Sequence, residues 1–306
     1  IDASGPDIKL EVLPFDARVL DGGEADIGGG LTTAASQEIE LAGPTATILS
    51  SASGSSSLLN DGSLSGTGRV ETLFNNRDGG QVNAINDTLT FTEQVSAAGG
   101  SELNAINSTV VFEQGLDSDG AVNLIDSTFD GDLINNGSVS LAGVNTITGN
   151  VSGTGEFTGT GTALLTGSSS PGNSPGVLDF EGDLIYADTH TLLIELGSSG
   201  GAPGVDFDQI NVEGLLEIDG GLDVHLLDGF SPGVGDSFLV LTGGETTGTF
   251  AGLGEGEVVT SMNGVDLRIT YAGGDGNDIA LTAIPEPGSL ALLAIGGLAL
   301  IRKRRR

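Results

Sequence analysis

The feature that most constrains this chain is a repeat. VNAINDTLTF begins at Val82, LNAINSTVVF at Leu103 and VNLIDSTFDG at Val122. Asn83, Asn104 and Asn123 are spaced by 21 and 19 residues, and a weaker copy, VNTITGNV from Val144, sets Asn145 another 22 on. Self-similarity near twenty residues marks a solenoid, in which each unit is one coil that buries its apolar side only against its neighbours. The unit is rich in β-branched residues, Gly and Asn and has no 3.6-residue apolar period, so it is not helical. It predicts the rung of a parallel β-helix and an all-β fold. Leu89 and Phe91 match Val110 and Phe112 at equal offsets from the Asn, and Phe129 takes the first of these positions in the third copy. Stacked rungs would join them into one thin core. The repeated Asn suits a corner, because it tolerates left-handed backbone and its amide can bond to the Asn above and below. Asn86, Asn107 and Asp126 form a second polar column. The alternative use of these columns is to bind a sugar chain.

The repeat region spans residues 45–166. Ahead of it, residues 1–44 are poorly defined by pattern. Ile8, Leu10 and Val12 alternate like a short strand that Pro14 ends, and DGGEADIGGG from Asp21 reads as a flexible acidic loop. Asp21, Glu24 and Asp26 are weak calcium candidates there. The chain opens on Ile1 with no apolar signal run, which reads as a mature start or a fragment. Across residues 167–283 a break rich in Pro and Gly, GSSSPGNSPG, precedes alternating strands at Leu192/Ile194/Leu196, Ile210/Val212, Leu216/Ile218 and Leu222/Val224/Leu226. The series SPGNSPG, VDFDQINVEG, LDVHLLDGF and GDSFLVLTGG resembles the C-terminal β-helix region of autotransporter-type passengers. That resemblance implies a surface-exposed solenoid with its cap and brings no catalytic residues. The chain departs from autotransporters by ending without a membrane β-barrel, so their export route does not carry over.

Residues 284–306 have a three-part character: Pro285-Glu286-Pro287, an uncharged apolar run from Gly288 to Ile301, and the basic cluster Arg302, Lys303, Arg304, Arg305, Arg306. Prolines keep the opening extended. The fourteen apolar residues would reach roughly 21 Å as a helix, at about 1.5 Å per residue, against a hydrocarbon core of about 30 Å. This is a short transmembrane-type helix whose basic end would stay on the cytoplasmic side, leaving the body outside. The order of parts resembles the PEP-CTERM sorting signal. The resemblance implies recognition and removal by an exosortase, a membrane protease-transpeptidase, with transient residence in the inner membrane and delivery to the cell surface or an exopolysaccharide matrix. Plainer readings of the same segment are a tail anchor and a buried core helix.

Charge narrows function further. Acids outnumber bases 42 to 10, and five of the ten bases lie in the final cluster, so the body sets five cations against all of the carboxylates. Such a body repels phosphate backbones, which excludes nucleic-acid partners. With no cysteine there are no disulfides, thiol nucleophiles or thiolate metal sites. GGDGNDIAL from Gly273 fits one copy of a calcium-binding nonapeptide, making Asp275 and Asp278 weak calcium candidates, with a hairpin turn as the simpler reading. Asp206 and Asp208 would share one face of a strand and could act as the acid and base of a glycosidase. No Lys or Arg adjoins them in sequence. His190 and His225 are isolated and expected to face solvent. The expectation is an exported structural or adhesion protein of the surface or biofilm matrix, with no catalytic residues and no cofactor. The alternatives are a carbohydrate-active lyase or hydrolase and a calcium-stabilised binding module.

Overall fold

The computed structural model describes residues 2–3, 8–9, 16–51 and 56–286, whose regular structure is almost wholly strand. Their one helical turn is the 3₁₀ segment Leu227–Gly229. One coil shows the plan. Gln81–Ile85, Thr88–Phe91 and Val95–Ala97 form three consecutive faces, and the next coil repeats them as Glu102–Ile106, Thr109–Phe112 and Leu116–Ser118. Pairing between coils is parallel and in register: Val82 with Leu103 and then Val122, Leu89 with Val110 and then Phe129, Val95 with Leu116 and then Leu133. Glu38–Leu49, Ser63–Glu71 and Gln209–Ile218 run unbroken round the corner between the first two faces, which unites those faces in one 23-stranded sheet. The third face is a separate sheet of ten strands.

Alternation fills the interior. Val82 and Ala84 point inward while Gln81, Asn83 and Ile85 point outward, and the same parity recurs in each copy. Because register is kept, like stacks on like. The rings of Phe74, Phe91, Phe112 and Phe129 follow one another at centroid distances of 5.0, 5.2 and 4.8 Å. Phe129 pairs by backbone with Val110, as its offset predicts, yet its ring lies on Phe112.

Both polar columns carry side-chain ladder bonds, with Asn107 Nδ2 donating to Asn86 Oδ1 at 3.3 Å in the second, but only the second is a corner. Asn83, Asn104 and Asn123 are in mid-strand, half-buried on the outer face, and form an amide ladder: Asn104 Nδ2 donates to Asn83 Oδ1 at 3.0 Å and Asn123 Nδ2 to Asn104 Oδ1 at 2.8 Å. The left-handed corner falls three residues later, at Asn86, Asn107 and Asp126, with φ of 61°, 49° and 47°. Gly143 continues this corner at φ 66°. Asn145 does not extend the ladder. Asn123 pairs instead with Ser140, because the next coil is shorter, and Asn145 pairs with Ala163 and points inward. Fully buried, its Oδ1 accepts from the Ser127 amide and its Nδ2 donates to the Ala142 carbonyl, each at 3.0 Å.

Strand order begins earlier than the repeat. Ala17–Leu20, Glu24–Asp26 and Leu31–Thr33 already follow the coil plan, so the Asp21 stretch contains a strand between two turns instead of a flexible loop. Parallel pairing also continues past Gly167, where Val151 pairs with Ser169 and Ser169 with Leu192. The stack ends in an antiparallel cap. Ser237–Gly248, the last strand to pair in parallel with a neighbour, joins Asp278–Pro285, which joins Val265–Gly273, which joins Val258–Met262. Leu267, Ile269, Ile279, Leu281 and Ala283 are the buried side of this cap, which covers an edge otherwise open to further strand addition.

Candidate functional site

The start of the sorting segment is part of the folded body. Strand Asp278–Pro285 lies between Ser237–Gly248 and Val265–Gly273, antiparallel to both. Ala283 is 1% exposed and bonded on one side to the loop before Ser237: its amide donates to the Asp236 carbonyl, and its carbonyl accepts from the Gly235 amide, both at 2.9 Å. Ile284 pairs with Asp266 and Pro285 with Val265. The Glu286 amide donates to the Gly264 carbonyl at 3.0 Å. In an antiparallel ladder this makes Val265 and Pro285 a non-hydrogen-bonded pair, so the missing amide of Pro285 leaves no gap toward this partner. The hairpin that holds the segment turns at Asn263-Gly264, with φ of 51° and 80°, a pair suited to a tight turn between right-twisted strands. Pro287, the run Gly288–Ile301 and the cluster Arg302–Arg306 lie outside the described residues. Among the described residues no helix is long and apolar enough to cross a membrane.

The other candidates are dispersed. Gly273 pairs with Asp278 across the hairpin closing the cap, so Asp275 is in its turn and Asp278 at its base, where Asp278 Oδ1 accepts from the Gly243 amide at 3.2 Å. Asp206 and Asp208 do not share a strand, because the strand starts at Gln209. Asp206 is in the preceding turn, held below the usual carboxylate range by the Ser198 hydroxyl and the Ala202 amide. Asp208 is buried and spends both oxygens on backbone, accepting from Gly176 at 2.7 Å and Glu195 at 2.8 Å. Burial pushes its carboxyl up to about 6, against the amides that favour its charge. It ties a loop to the strand Thr191–Leu196. Asp21 accepts from the Thr45 hydroxyl and amide, which hold it below the usual range, and Asp26 accepts from the Gly28 and Ser51 amides and the Ser51 hydroxyl. Glu24 is exposed. Among the described residues no group of three His, Asp or Glu is placed to hold a metal.

Histidine placement corrects the sequence reading in one of two cases. His225 is exposed, 3.4 Å from Asp223. His190 is instead 1% exposed, stacked on Tyr186 at 4.0 Å with Nε2 3.0 Å from the Ser169 hydroxyl. Burial pushes its pKa down to about 4 and raises that of Tyr186. The available signal was parity: Leu192, Ile194 and Leu196 face inward, and counting back by two reaches His190. A second feature missed in the sequence is an interior polar ladder on the third face. There Thr33 donates to Asn60 and Asn60 to Asn76, both at 2.8 Å, and the Asn60 and Asn76 amides also reach the carbonyls of Gln81 and Glu102.

A search of curated proteins gives no match to this chain. Residues 283–306 do match a family, the PEP-CTERM protein-sorting motif. The chain is therefore a β-solenoid carrying a PEP-CTERM sorting motif, which implies export and sorting by an exosortase.

Proposed function

We propose that this protein is a passive, non-catalytic component of the cell surface or extracellular matrix, presented as a stiff solenoid whose flank contacts exopolysaccharide or neighbouring cells. One observation carries the reading: the sorting motif begins inside the last strand of the cap, so the body and the delivery signal are continuous. The outward amides of Asn83, Asn104 and Asn123 and the outward column Thr88, Thr109, Thr128 and Thr146 offer repeating hydrogen-bond partners to a polymer's hydroxyls. With so few cations, the flank favours neutral chains over acidic ones. The separate engagement of Asp206 and Asp208 supports a structural role for both. Expression with and without an exosortase tests the reading, through C-terminal mass and cell fraction. Loss of Arg306 and release to the surface fraction only in the exosortase strain is expected. An intact Arg306 in both strains overturns it.

A further inference from the structure

The sorting motif and the fold use the same backbone. Ile284, Pro285 and Glu286 lie within the matched segment and are also paired, residue by residue, with Asp266, Val265 and Gly264 of the cap hairpin. A membrane protease that takes an extended substrate segment aligns its own backbone groups along that segment, in the manner of an added strand. The Glu286 amide cannot serve Gly264 and an enzyme together. We propose that the folded cap withholds the front of the motif, and that an exosortase engages it only after residues 284–286 have peeled from the hairpin. This rests on the sorting reading above. The peel has a natural stop at Ala283, which is buried and bonded to the Asp236 and Gly235 backbone on the side away from the hairpin. Ile284, by contrast, is 38% exposed, so its release uncovers little apolar surface. Three freed residues extend the motif by up to about 10 Å from the body, at about 3.3–3.6 Å each. That gives the enzyme clearance from an acidic body while the cap core stays closed.

Pulse-chase processing of the full-length chain in an exosortase-containing host tests this with two variants. Inserting Gly-Ser-Gly-Ser between Ile284 and Pro285 leaves Pro285-Glu286-Pro287 intact but takes it out of register with the hairpin. Gly264→Val changes no residue of the motif and adds no length, but places a β-branched residue at φ 80° and opens the hairpin end. Both are expected to raise the processing rate about three- to tenfold, the scale of one backbone hydrogen bond no longer competing. Wild type processed as fast as both variants overturns the gate and leaves the sorting reading intact. Faster processing in the insertion alone also overturns it, since length and not pairing would then be limiting. Wild type left whole in the exosortase strain overturns the sorting reading and this one with it.

Discussion

Asn86, Asn107, Asp126 and Gly143 hold the same left-handed corner in four successive coils, and each is a residue type for which that conformation costs little. A β-branched side chain there meets the backbone. Asn107→Val is therefore expected to destabilise by about 1–2 kcal/mol, and Asn107→Gly by less, in urea unfolding. Equal midpoints would refute the corner. His190 supplies a prediction in pH. Its folded pKa of about 4 lies below the ordinary 6.5, so the neutral ring's contribution is full above about pH 6.5 and is lost as pH falls to about 4. The loss is about 3 kcal/mol across that window. Asp208, raised to about 6, works in the opposite sense, adding stability as pH falls from there toward 3.8. The comparison that isolates the ring is wild type against His190→Phe, whose stability should lack the drop between pH 6.5 and 4; parallel curves would refute it. At this scale the sequence was legible where residues repeat, as at Asn83 and Asn104. It misled at Asn145, because a shorter coil changed the register, and at His190, whose polar neighbours Asp188 and Thr189 hid its inward parity.

Rungs behave as elements whose core is shared with the coils above and below. Phe112 touches rings on both sides, so Phe112→Ala should cost about 3–5 kcal/mol, through lost contacts and the cavity between Phe91 and Phe129. Thermal unfolding of that variant checks it; a loss below about 1 kcal/mol would mean the column is not a continuous core. The coils from Val82 onward could be read because apolar offsets from the Asn recur. The first coils could not, since Ala17–Leu20 and Glu24–Asp26 carry no copy of the repeated motif and declare themselves only by pairing. The cap hairpin at Gly273–Asp278 is visible in its turn residues, and the Asn263-Gly264 turn that grips the sorting motif has the same chemistry without a flanking repeat to mark it.

The molecule as a whole carries five cations against 42 carboxylates outside its basic terminus, in a stack with no disulfide. So large an excess of one charge on a single body repels itself over distances that salt shortens to about 10 Å at 0.1 M. Melting temperature is expected to rise with sodium chloride between about 0.01 and 0.5 M, and a flat or falling trend would show that repulsion does not limit stability. Because the described coils pair in parallel, each with the next, and the sorting motif emerges from the last described strand, the earliest described coils lie at the end of the stack opposite the motif. Duplicating one twenty-residue unit would then move those coils about 4.8 Å farther from the motif without altering the cap. The reach from the sorting motif to those first coils is a quantity such a gene can tune by simple tandem copying.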